Sequence, residues 1–99
     1  YFVIGNCYFS LNDNDKAIIY FDKAIKMNPN NSLAYSNKGV SLNRLNKYND
    51  AIKCFNKAIE INPNNSLSYF NKGYCLDKLN KYDEAIQCYN KTLEINPNN

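Results

Sequence analysis

Apolar positions recur through this chain with the period of an α-helix. Tyr35, Gly39 and Leu42 are spaced i, i+4, i+7, which places them on one helical face. After a break at residues 46–48, Ala51, Phe55 and Ala58 repeat the spacing, and Ile52, Ile59 and Ile61 widen the second stripe. The pattern predicts two amphipathic helices. The link between them is too short for anything but an antiparallel hairpin. Asn46, echoed by Asn12 and Asn80, suits a left-handed residue at a helix end. Asn49, Asp50, Asp83 and Glu84 place capping or acidic side chains in the first turn of the following helix, as Asp15 does earlier.

The same block returns along the chain. Residues 66–99 repeat residues 32–65 at about two-thirds of their positions, and Pro29, Pro63 and Pro97 fall 34 residues apart. A fixed period of that size marks stacked repeats, so a solenoid is expected, not a closed globule. Proline lacks an N–H and restricts the residue before it, which should stop each second helix near Asn28, Asn62 and Asn96. Ser32 and Ser66, or the Asn beside each, can cap the next helix. Gly39, Gly73, Ala51 and Ala85 allow close helix approach.

Composition adds more exclusions than chemistry. The net charge of +3 is spread along the chain without a basic run, which favours solubility over a nucleic-acid partner. No apolar stretch reaches 18 residues and no signal-peptide pattern opens the chain, so a cytoplasmic protein without a membrane contact is expected. Tyr1 falls part-way through a helix, so the first unit reads as truncated. There is no His, the commonest general base and metal ligand. Cys7 and Cys75 share one repeat position and Cys54 and Cys88 another. Stacked units lie ~10 Å apart, beyond the ~7 Å Cα limit for a disulfide. All four therefore read as reduced core residues. Asp13 with Asp15, and Asp83 with Glu84, complement helix starts and need no catalytic explanation. Gly5, Gly39 and Gly73 lie inside helices and cannot cradle a phosphate. No cofactor, metal or catalytic residue is indicated.

The series Tyr35, Gly39, Leu42, Ala51, Phe55, Ala58 and Pro63 resembles the tetratricopeptide repeat, with Tyr in the usual place of Trp. It continues as Tyr69, Gly73, Leu76, Ala85, Tyr89 and Pro97, and begins as Tyr1, Gly5, Tyr8, Ala17, Phe21, Ala24 and Pro29. The resemblance implies an all-α, right-handed superhelical solenoid of three antiparallel helix hairpins, at residues 1–31, 32–65 and 66–99. Thr92 departs from the usual Ala, and Lys38 and Lys72 from the usual Leu. Asn14 stands where the later units have Tyr48 and Tyr82, so the first hairpin should be the least well packed.

In proteins of this family the first helix of each hairpin lines a concave groove that takes a peptide or a partner helix. The resemblance carries that role to Phe2, Val3, Asn6 and Phe9, then to Leu33, Ser36, Asn37, Val40, Asn43 and Arg44, and finally to Leu67, Phe70, Asn71, Tyr74, Asp77 and Lys78. Asn37 and Asn71 are equivalent, so their amides are expected to form a ladder that binds a peptide backbone. Chaperone-binding members hold a C-terminal carboxylate with a clamp of Lys, Arg and Asn. Asn6 and Asn37 fit that clamp, but Phe2, Leu67 and Asn71 replace its cations, so no chaperone clamp is expected.

The leading expectation is a non-enzymatic protein-interaction module. The alternatives are structural or self-assembling repeats in a longer solenoid, or a targeting module of a larger enzyme. Solenoids usually carry a polar capping helix, and none follows the third unit here. Either more repeats follow, or the chain self-associates there.

Overall fold

The computed structural model describes residues 1–97, so the last two positions of the third unit lie outside the described residues. It contains six helices: α1 (Phe2–Ser10), α2 (Asn14–Met27), α3 (Ser32–Arg44), α4 (Tyr48–Ile61), α5 (Ser66–Lys78) and α6 (Tyr82–Ile95). No strand occurs among the described residues. Each odd helix pairs with the following even one, and α2 and α4 then pack on α3 and α5. This is the all-α hairpin solenoid that the period implies, 35 Å along its longest axis.

The boundaries follow from the asparagines and prolines. Asn12, Asn46 and Asn80 adopt φ of 59°, 62° and 62°, where Asn is tolerated better than most side chains. In the second unit Lys47 N–H then donates to Leu42 O at 2.9 Å, a long C-terminal closure that satisfies an otherwise orphaned carbonyl. The tyrosine of the next helix secures the turn: Tyr48 Oη donates to Asn46 Oδ1 at 2.9 Å, and Tyr82 Oη to Asn80 Oδ1 at 2.8 Å. The first hairpin lacks this bond because Asn14 stands there, and on α1 only Gly5 is buried.

Helix starts fall into two kinds. Asn31 accepts from Ala34 N–H and Asn65 from Ser68 N–H, each at 3.1 Å, so Asn and not the neighbouring Ser caps α3 and α5. Asp13 caps α2 through Lys16 N–H. The starts of α4 and α6 have Lys47 and Lys81 at the cap with no side-chain bond. Asp50, Asp83 and Glu84 offset this as first-turn acids, while Asn49 lies one residue inside the helix and is no cap.

Phe21 and Phe55 are fully buried, each beneath the glycine of its partner helix. A Cβ on Gly39 would stand 2.7 Å from Phe55 Cε1, and one on Gly5 2.8 Å from Phe21 Cδ1. Glycine is needed here for close approach. Cys54, Cys75 and Cys88 are buried, as core residues should be, but Cys7 is exposed. Its counterparts Ser41 and Cys75 are fully buried, and no hairpin precedes α1 among the described residues to cover Cys7.

Candidate functional site

The first helices of the three hairpins lie side by side, with α3 touching both α1 and α5. Their shared face is the surface on which the sequence places the groove residues. Its polar centre lies between the first two units. Asn37 Nδ2 donates to Asn6 Oδ1 at 2.9 Å, across 31 residues of chain. One such bond uses a single N–H of Asn37 and one lone pair of Asn6, so the pair keeps further donor and acceptor capacity. Both side chains are half-buried, which fixes the amides while leaving them reachable. The side-chain bond runs to Asn6, three positions further along its helix than the strict repeat equivalent of Asn37, which is Val3.

Arg44 joins the same two helices. Its guanidinium lies 4.2 Å from the Phe9 ring centroid, and its Nη1 donates to Phe9 O at 3.1 Å and to Asn14 Oδ1 at 3.5 Å. Asn14, the departure that weakens the first hairpin, thus helps anchor the second unit to the first. Lys78 similarly lies 5.3 Å from the Tyr74 ring centroid. The cations of this face are therefore engaged with aromatic rings.

Between the second and third units the face opens into a cleft of about 440 Å³. Phe70, Asn71 and Tyr74 form one wall, and Asn43 and Arg44 another; Asn46 and Tyr48 from the hairpin turn complete it. Phe70 and Tyr74 are 44% and 38% exposed, and Asn43 Oδ1 is buried without a hydrogen-bond partner. The aromatic substitutions at repeat positions 36 and 40 thus supply much of the wall. Tyr48 and Asn46 were missed because their repeat role, closing the turn, hides a second role as lining.

Two expected groove positions behave differently from the rest. Ser36 is buried, and its Oγ lies 2.8 Å from Ser68 Oγ and 3.4 Å from Asn65 Nδ2. It belongs to the joint between units and cannot meet a ligand, since a small side chain at a helix crossing is covered by the neighbour it admits. Val40 packs against the central core and is half structural. Leu33 and Leu67 stand at the rim, both exposed, as are Asp77 and Lys78.

Beside the groove, Leu67, Phe70, Tyr89, Thr92 and Leu93 enclose an apolar cleft of about 450 Å³ between α5 and α6. Thr92 is buried and donates to Cys88 O at 3.0 Å, which reconciles its hydroxyl with an alanine position. The thiols are held protonated by burial: Cys75 is pushed up from 9.0 to about 11, and Cys54 and Cys88 are raised as well. They are poor nucleophiles. No cluster among the described residues could hold a metal ion, and no described helix is long and apolar enough to cross a membrane.

The sequence model of the tetratricopeptide repeat matches residues 1–31, 32–65 and 66–99. No curated protein matches the chain. Among solved structures, the first tetratricopeptide domain of Spaghetti (RPAP3), bound to the HSP90 peptide SRMEEVD, is 31% identical with a TM-score of 0.96; the likeness covers 99% of this chain and 78% of that one. The Arabidopsis OM64 tetratricopeptide domain is 27% identical, with a TM-score of 0.94 over 96% of this chain and 78% of that one. MamA is 26% identical, with a TM-score of 0.93 over 96% of this chain, which spans only 56% of MamA. With the repeat matched from one end to the other and its hairpins stacked in space, the chain belongs to the tetratricopeptide repeat family.

Proposed function

We propose that the face formed by α1, α3 and α5 binds a segment of another protein, as an extended peptide or a helix, and that the protein is a non-enzymatic interaction module. The Asn6–Asn37 bridge carries this reading. Two amides held across a joint by one bond are pre-organised to pair with a peptide C=O and N–H. The cleft lined by Phe70 and Tyr74 offers an apolar or aromatic side chain an anchor next to them.

The reading also favours a ligand unlike the one printed for Spaghetti. SRMEEVD is rich in acidic residues, and such a peptide calls for free cations. Phe2, Leu67 and Asn71 occupy the clamp positions here, while Arg44 and Lys78 already lie over Phe9 and Tyr74. A displayed library of random heptapeptides, with SRMEEVD as a probe of known sequence, tests this. Expected are enriched sequences with aromatic or aliphatic residues and no demand for an acidic C-terminus, together with no saturable binding of SRMEEVD. Saturable binding of SRMEEVD that is lost in Asn37→Ala would overturn the apolar reading and restore a carboxylate site.

A further inference from the structure

The repeat lets the first joint serve as a control for the second. Helices α4 and α6 both pack on α5, and the three together line a cleft of about 580 Å³. A helix turns about 100° per residue, so Lys72 and Leu76, which α5 gives to this cleft, leave it opposite Phe70, Asn71 and Tyr74, which it gives to the groove. The two sites are separate.

Lys53, Lys72 and Lys81 stand in the cleft with a single carboxylate, Glu84. The matching positions of the first joint hold Lys38, Lys47 and the same Lys53 with three carboxylates, Asp15, Asp22 and Asp50. Two of these become amides, Asn49 and Asn56, so a neutral set of positions becomes a positive cleft. The change is clearest at the lysine of the inner helix. Lys38 meets Asp22 at 2.6 Å, whereas the half-buried Lys72 shares its cleft with Asn56. Among the described residues no carboxylate lies within ion-pair distance of Lys53, Lys72 or Lys81. The buried thiols feel the same contrast: Asp22 and Asp50 oppose Lys38 at Cys54, and only Glu84 opposes Lys72 at Cys88.

We propose that this cleft is a second binding site, taking an acidic segment of a partner protein whose carboxylate gives Lys72 the counter-ion that Asp22 gives Lys38. Ile52 and Leu76 line the same cleft, so an apolar residue beside the acid is covered too, and Asn49, Asn56 and Gln87 offer amides to the segment's backbone. A nucleic acid fits less well. The lining includes neither an arginine to grip a phosphate by two bonds nor an aromatic ring to stack on a base. Glu84 also favours one isolated acid, since adjacent acids, as in SRMEEVD, would set a second carboxylate against it. A single partly exposed ion pair is weak, so the cleft adds to a larger interface.

The test is NMR titration of the 99-residue chain at millimolar peptide, comparing acetyl-Leu-Asp-Leu-amide with acetyl-Leu-Asn-Leu-amide. The acidic peptide should shift the signals of Lys72, Leu76 and Glu84 and leave the side-chain amides of Asn37 and Asn71 unmoved; the Asn peptide should shift neither set. Asn56→Asp changes an exposed residue and should keep the thermal melt while giving Lys72 an internal acid. It should weaken the acidic peptide by about threefold or more, the value of one partly exposed ion pair. Lys72→Met should do the same. Equal shifts from both peptides, no shift at Lys72, or undiminished binding to Asn56→Asp would overturn the proposal. So would an oligothymidylate that moves Lys72 at lower concentration than the acidic peptide.

Discussion

The two internal joints of this solenoid are built on the same repeat and held by different chemistry. The first, where α3 meets α1 and α2, is tied by polar contacts: Lys38 to Asp22, Asn37 to Asn6, and Arg44 to the Phe9 ring and carbonyl. The second, between α4 and α5, is drier. Cys75 is buried among Leu42, Ala51, Cys54 and Phe55, Ile52 bridges two core clusters, and the main polar contact is the enclosed Ser36–Ser68 pair. The repeat positions specify a hairpin, and the positions between them decide how hairpins meet. Of the polar contacts at the first joint, Asn6–Asn37 and Arg44–Phe9 join α1 to α3, the helices of the candidate face.

The largest effect should come from breaking what both joints share. Gly39→Leu drives a side chain into Phe55, where even the Cβ would stand 2.7 Å from Cε1. A loss of about 3 kcal/mol, at the upper end of overpacking costs, is expected in urea unfolding. Both joints should fail together, since α3 takes part in the first, and the α3–α4 hairpin that Gly39 and Phe55 hold together forms one side of the second.

Exchanging the equivalent residues Ser41 and Cys75 sharpens the contrast. Ser41 Oγ is buried with no hydrogen-bond partner among the described residues, so Ser41→Cys should stabilise the chain by roughly 1 kcal/mol. Cys75→Ser puts a hydroxyl into the drier joint and should cost about the same or more. Alkali separates them further. Burial raises the Cys75 thiol from 9.0 to about 11, so its contribution is complete below pH 9 and is lost as pH rises through about 11. Cys75→Ser should flatten that limb of a stability profile measured by chemical unfolding.

The Lys38–Asp22 pair should give the smallest stability term. Burial lowers the Lys38 ammonium, but its hydrogen bond to Asp22 and the surrounding negative charge outweigh this and hold it above 10.5. The stabilisation is therefore present below pH 10.5 and lost as Lys38 deprotonates at higher pH. Asp22 is exposed, so a double-mutant cycle with Asp22→Asn and Lys38→Met should give about 0.5 kcal/mol, falling with added salt. A coupling that ignores salt would remove electrostatics from the account of the first joint.

Much of this architecture is legible in the sequence, because each hairpin device is local and repeated. Asn12, Asn46 and Asn80 mark left-handed turns, Pro29 and Pro63 stop helices, and Gly39 lies against Phe55. What is not legible depends on which neighbour covers a residue. Ser36 varies between units as a groove residue would, yet Ser68 buries it. Cys7 shares a position with Cys75 and is exposed for want of a preceding hairpin among the described residues. The amide pairing escaped for a related reason: the contact joins Asn37 to a non-equivalent position, Asn6, and a strict 34-residue register cannot show it.

The central claim is that hairpin positions govern stability while the amides between them govern recognition. Calorimetric titration of the chain and of Asn37→Ala with one heptapeptide enriched on the wild type tests this, with thermal melts recorded on the same samples. The account predicts affinity weaker by about 1 kcal/mol, the value of one neutral hydrogen bond, with an unchanged melting temperature. Unchanged affinity, or a weaker affinity matched by a lower melting temperature, would contradict it.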